Sequence, residues 1–107
     1  MLTAKELRDN RRLFNGNSTQ IVSMFKALNE INRYHILCIL TKNPNLSVGD
    51  IAQILDISLP LASQHIKVLT QSNLLQKKRE GKRVFTKLDQ TNPFVKAIVR
   101  AIEEAQE

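Results

Sequence analysis

Ser47-Val48-Gly49-Asp50-Ile51-Ala52-Gln53-Ile54-Leu55 opens the most informative part of this chain, the run from Ser47 to Leu88. Ser47 and Asp50 have capping-box spacing, so a helix starts there, with Val48, Ile51, Ala52 and Leu55 on its buried face. Asp56-Ile57-Ser58 reads as a turn. Ser58-Leu59-Pro60-Leu61-Ala62-Ser63-Gln64-His65-Ile66-Lys67-Val68-Leu69 follows. Ser58 caps this second helix, and Pro60 in its first turn lacks only a donor the helix has no use for there. Ala62, Ile66 and Leu69 fall inward. Ser63, Gln64, Lys67 and Gln71 fall on the opposite side, with Leu59 and Pro60 at its leading end. Lys77-Lys78-Arg79-Glu80-Gly81-Lys82-Arg83-Val84-Phe85 closes the run. It reads as a strand from Leu75 through Arg79, a tight turn in which Gly81 takes positive φ, and a return strand from Val84 to Leu88.

Two helices joined by a short turn and followed by a basic ribbon have the geometry that reads duplex DNA. The expected fold is mainly α (α+β): a winged helix-turn-helix of about five to six helices with a two-stranded β-hairpin wing. Short polar and amide groups near a helix N-terminus suit the major groove. Ser58, Leu59, Pro60, Ser63, Gln64, His65 and Lys67 are therefore the candidate recognition-helix contacts. Leu59 is apolar and suits a thymine methyl. Lys77, Lys78, Arg79, Lys82 and Arg83 are the candidate wing and phosphate contacts. Formal net charge is +6, and its placement says more than its size. Lys67 to Lys87 holds seven basic residues and one acid, a net +6, while the remaining nine bases and nine acids cancel. One segment carries the whole excess, as a nucleic-acid footprint requires.

On the N-terminal side, Thr3 and Glu6 form a capping box for a helix from Ala4. Asn15-Gly16-Asn17 is a break. Residues 1–17 read as an N-terminal helical arm, and residues 18–107 as a winged-helix DNA-binding and dimerisation domain. Ser18 is the expected cap of the next helix, which carries Ile21, Met24, Phe25 and Leu28 on one stripe. A third, buried helix runs to about Lys42, where Asn43-Pro44-Asn45 ends it. At the other end Asn92 caps a last helix with Pro93 at its first position. Phe94, Val95, Ile98, Val99 and Ile102 form its apolar stripe. Two such helices flanking a complete reading unit predict a homodimer through Ile21, Phe25, Phe94, Ile98 and Ile102.

At 107 residues the chain supports one domain with a modest core. No apolar run approaches the roughly 20 residues of a membrane span, and no signal peptide is visible. A single cysteine makes no internal disulfide and fits a reducing, cytoplasmic location. His35, His65 and Cys38 are the imidazole and thiol donors. His35 and Cys38 share a helix three positions apart, but packing is their expected role, and neither metal nor cofactor is expected. For His65 the alternatives are packing or hydrogen bonding between helix and wing, and a phosphate contact. Glycine-rich phosphate loops, nucleophile–base spacings and paired carboxylates beside a histidine are missing, which argues against an enzyme. The competing function is a winged-helix protein-interaction module that docks a protein on Leu59 and Leu61 without sequence-specific DNA binding.

Four motifs in serial order over about residues 20 to 90 resemble the ArsR/SmtB family of bacterial repressors. Leu28-Asn29-Glu30-Ile31-Asn32-Arg33-Tyr34-His35-Ile36-Leu37 is similar to A-L-(A)-D-P-T-R-x-x-I-L. Ser47-Val48-Gly49-Asp50-Ile51-Ala52 is similar to S/C-V-x-E/D-L-A, and Ser63-Gln64-His65-Ile66-Lys67-Val68-Leu69 to S-x-H-L-K-V-L. Arg79-Glu80-Gly81-Lys82 with Arg83-Val84-Phe85 is similar to the family's R-x-E-G-R/K and V-Y wing. The resemblance implies a dimeric repressor of double-stranded DNA with a palindromic operator. It leaves the inducer unnamed. The family's first and last helices would form the dimer contact. Leu59 and Leu61 replace polar residues common at the start of the family's recognition helix, and Ile31 replaces a proline. Metal-sensing relatives carry Cys-Val-Cys where this chain has Ser47-Val48-Gly49, or Asp and His pairs on the last helix, where Pro93 to Glu107 holds no His or Cys.

Overall fold

α3 (Ile31–Lys42) is the hub of the computed structural model, which describes every residue except Asn15, Asn17 and Glu107. The preceding elements are α1 (Ala4–Arg11), a 3-10 turn (Arg12–Phe14) and α2 (Ser18–Leu28). After α3 come β1 (Leu46–Ser47), α4 (Val48–Leu55), α5 (Leu59–Gln71), β2 (Leu75–Glu80), β3 (Arg83–Leu88) and α6 (Pro93–Ala105). α3 touches α2, α4, α5, α6 and β3, which explains why Ile36-Leu37-Cys38-Ile39-Leu40 is apolar nearly all round. Ile36, Leu37 and Leu40 are buried, and Ile51, Ile66, Leu69, Leu74, Leu75, Val95 and Ile102 complete the centre of the core.

Local chemistry sets most boundaries as expected. Thr3 with Glu6 and Ser47 with Asp50 make complete capping boxes, each side chain accepting from the other residue's backbone N–H. Ser58 accepts from the Leu61 N–H at 3.2 Å, and Asn92 from the Phe94 N–H at 2.9 Å. Gly81 turns the hairpin at φ +62°. Asp56 closes α4 in the left-handed region at φ +55°, which makes the short turn into α5 possible.

One expectation needs correction. Ser18 is the first helical residue of α2 rather than its cap, and its hydroxyl donates back to the Phe14 carbonyl at 3.1 Å. Of the expected break, Gly16 lies at φ +102°, while Asn15 and Asn17 fall outside the described residues. Between α2 and α3, Glu30 caps α3 by accepting from the Arg33 N–H at 2.9 Å. The expected two-stranded wing is β2 paired with β3, and β1 adds a third strand to its sheet in the antiparallel order β1-β3-β2. Leu46 pairs with Thr86 and Ser47 with Phe85, and the Thr86 hydroxyl donates to the Leu46 carbonyl at 3.0 Å. A two-residue strand is too short to show an alternating pattern, so only its partner reveals it.

The Cα radius of gyration is 17.1 Å, against about 13 Å for a compact chain of this length. The excess belongs to elements that stand clear of the core. α1 buries none of its residues, and β2 is exposed from Lys77 onward. No helix among the described residues is long and apolar enough to cross a membrane.

The division of α5 into an inner and an outer side has a direct thermodynamic consequence. Ile66 is 1% exposed and Gln64 is exposed. Ile66→Ala should lower unfolding free energy by about 2–5 kcal/mol, and Gln64→Ala should change it by less than about 0.5 kcal/mol. Urea denaturation of both variants checks this; equal losses would mean that α5 is rotated from the position described.

Candidate nucleic-acid interface

α5 is held by its inner side. Ala62, Ile66 and Leu69 are buried, and α2, α3, α4 and β2 all touch the helix. What remains outward is Ser58, Leu59, Pro60, Ser63, Gln64 and Lys67, every one exposed. Apolar burial therefore aims the polar side, because a helix with one inner stripe has only one stable rotation about its axis. Ser58 spends its acceptor on the cap, leaving its hydroxyl proton for an outside partner.

His65 does not belong to this outward set. It is 8% exposed, and its Nδ1 lies 3.4 Å from Arg33 Nη1 and 3.8 Å from Glu30 Oε2. Both polar neighbours stand at the start of α3 rather than on the wing. A neutral Nδ1 accepts from Arg33, whereas a protonated one faces Glu30; the same nitrogen cannot do both. Arg33 Nε donates to the Ala27 carbonyl near the end of α2, and Glu30 caps α3. One polar node thus ties α2, α3 and α5. Glu30 and Arg33 were invisible as partners of His65 because they stand more than thirty positions away.

On the wing, cross-strand register sorts the charges. Lys78 pairs with Phe85 and Glu80 with Arg83 on one face; Lys77 pairs with Thr86 and Arg79 with Val84 on the other. Lys78 Nζ lies 3.3 Å from Glu80 Oε1, both side chains being well exposed, so the pair contributes little. Arg83 stacks over the Phe85 ring at 5.6 Å from its centroid. Asp50 is held below its ordinary pKa chiefly by the Ser47 backbone N–H, then by the Ser47 hydroxyl, with a further contribution from Arg83. Lys77, Arg79 and Lys82 have no ion-pair partner among the described residues.

The expected dimer residues divide. Phe25 is 56% exposed, and its ring meets that of Phe94 edge-on at 5.1 Å. Ile21, Phe94 and Ile98 are half-buried. Ile102 is a correction: at 2% exposure it sits in the core of its own protomer, because the α6 stripe is wide enough to face two ways. Val22, which the helical period places beside the stripe, is also 49% exposed. Away from these surfaces, His35 is exposed, and Cys38 is partly buried against the core. The Cys38 thiol beside the Tyr34 hydroxyl raises the tyrosine pKa, first through their hydrogen bond. The described residues contain no group of three metal-ligating side chains.

A capped helix with a polar outward row, set beside a basic antiparallel ribbon, defines a winged-helix DNA-binding protein. The family model for winged helix-turn-helix DNA-binding matches residues 29–76. The transcriptional activator HlyU of Vibrio cholerae is 35% identical over 80% of this chain and 77% of its own length. A solved HlyU structure from that organism superposes with a TM-score of 0.74 at 32% identity, over 85% of this chain and 96% of that one. A cadmium resistance regulatory protein, a CadC homologue of Staphylococcus aureus, is 32% identical over 77% of this chain and 68% of its own. The transcriptional repressor BigR of Xylella fastidiosa gives a TM-score of 0.74 at 26% identity, over 91% of this chain and 96% of that one. The chain belongs to the ArsR/SmtB family of winged helix-turn-helix transcriptional regulators.

The His65 node predicts energetic coupling between α5 and α3. His65→Ala and Arg33→Ala should each destabilise the fold by about 1 kcal/mol, and the double variant should fall short of their sum by at least about 0.5 kcal/mol. Strict additivity in thermal or urea melts would show the contact to be idle.

Proposed function

We propose that this protein is a sequence-specific transcriptional repressor that binds a palindromic operator as a homodimer. The observation that carries the proposal is the outward row of α5, with Lys67 on it, standing beside the basic wing, the two together holding the whole excess charge of the chain. Ser63 and Gln64 read base edges, since a glutamine amide can bond adenine N6 and N7 together. Lys77, Arg79 and Lys82 neutralise phosphates or reach into the neighbouring minor groove. Lys78 and Arg83, engaged with Glu80 and Phe85, contribute less. Repression follows from occupancy of a promoter and is supported by the likeness to BigR, a repressor by name. The site of action is the cytoplasm, where bacterial DNA is found. The protein-docking alternative accounts for exposed Leu59 and Leu61 but leaves the clustered charge unused.

Reading and holding are separable by mutation. Gln64→Ala should lose about 1–3 kcal/mol at the cognate site and relax preference at one base pair per half-site. Lys82→Ala should weaken cognate and random duplex alike and flatten the log-affinity against log-salt slope by about 0.9. The check is titration of both variants with both DNAs at several salt concentrations. Equal losses from Gln64→Ala on both DNAs, with a cognate-only loss from Lys82→Ala, would reverse the two roles.

Dimerisation is supported by the apolar face of α2 and α6, on which Val22 and Phe25 are exposed and Phe94 and Ile98 half-buried. The exposed Leu7, Leu13 and Phe14 of residues 1–17, read as an arm, extend the apolar surface available to a partner. Two copies related by a twofold axis would set their recognition helices in major grooves roughly 34–36 Å apart. Sedimentation at micromolar concentration should give twice 12.2 kDa, and Phe25→Glu should shift the species toward the monomer. A wild-type monomer would remove both the dimer and the palindrome.

A further inference from the structure

Leu59, the first helical residue of α5, is 55% exposed, and Leu61 is 38% exposed. Neither belongs to the core or to the apolar residues packed against it. Large apolar side chains left partly in water at the leading end of a helix stabilise this protomer less than buried ones would, which points to a use in what the helix meets. Leu59, Ser63, Lys67 and Gln71 are spaced four apart and form one row along the helix; Pro60 and Gln64 form the row beside it. Sorted by base-edge chemistry, this surface is biased. It holds two glutamine amides, suited to adenine N6 and N7, and an apolar leading residue. Arginine, the commonest bidentate reader of guanine, is missing from α5, leaving Lys67 as its one cation. The apolar group that the major groove offers on a base edge is the C5-methyl of thymine. The wing agrees, because Arg79 and Lys82 suit the narrow, strongly negative minor groove of an A·T tract.

We propose that Leu59 is a specificity-determining residue: it packs on a thymine methyl, next to an adenine held by Gln64, so that α5 selects A·T pairs in each half-site. This rests on the reading of α5 as the major-groove element. The test begins with duplexes selected by the wild-type chain from a random pool. Thymines in the selected half-site are then replaced one at a time by deoxyuridine, which pairs identically and lacks only the methyl.

The half-site should hold thymine and adenine at a fixed spacing, and one uracil position should weaken wild-type binding about fourfold, the effect of one buried methyl. Leu59→Ala should bind the thymine and uracil duplexes equally. Leu59 is exposed, so an unchanged thermal melt will show that this variant folds. Half-sites of G·C pairs, an absent uracil response, or a response that survives Leu59→Ala would each overturn the proposal while leaving α5 as a DNA reader. A wild-type chain that selects no duplex would overturn the DNA reading and this proposal with it; binding of a protein at Leu59 and Leu61 would then be the better account.

Discussion

Burial of the Ala62, Ile66 and Leu69 stripe fixes where everything else on the reading surface points. Each fully buried isoleucine or leucine contributes about 1.5–3 kcal/mol. Side chains advance about 100° per residue around a helix, so a rotation that moved Ile66 out would also turn Ser63 and Gln64 in. Both changes are unfavourable, one by exposing apolar surface and the other by burying amides and hydroxyls without partners. The outward row is thus a consequence of the inward one, and the hub helix α3 supplies part of the wall against which it is judged.

Apolar contact is non-directional and tolerates small slips, whereas the polar node at His65 does not. Arg33 reaches the Ala27 carbonyl, Glu30 caps α3, and both present their side chains to the imidazole on α5. The node joins the start of α3 and the end of α2 to the reading helix. α2 carries Val22 and Phe25, the exposed apolar residues that the dimer proposal assigns to a partner copy. The surface proposed for pairing and the helix proposed for reading are therefore mechanically continuous within one protomer.

Charge obeys a different logic. The wing cations gain little from one another or from Glu80 in water, and like charges along β2 repel. That arrangement is mildly unfavourable for the isolated protein, and the proposed contact with DNA phosphates would offset it. The antiparallel pairing to β3, itself paired on its other edge to β1, gives the ribbon the support that its exposed half lacks.

Nearly every feature that could be read from the residues in order is a short-range one. The capping boxes at Thr3 and Ser47, the caps at Ser58 and Asn92, the positive φ at Gly81 and the two sides of α5 depend on neighbours within four positions or on helical period. Those forces act in any context, so the helix-turn-helix and hairpin are legible before any coordinates. Pairing across the chain left no such mark. Leu46–Ser47 becomes a strand because β3 passes beside it, and His65 leaves the reading surface because Glu30 and Arg33 arrive from another helix. Ile102 turns into the core while Phe25 stays out, because α3 covers only part of what α2 and α6 offer. Amphipathic period says that a stripe must be covered; which neighbour covers which residue is settled by how the helices pack, a long-range outcome that no local window contains.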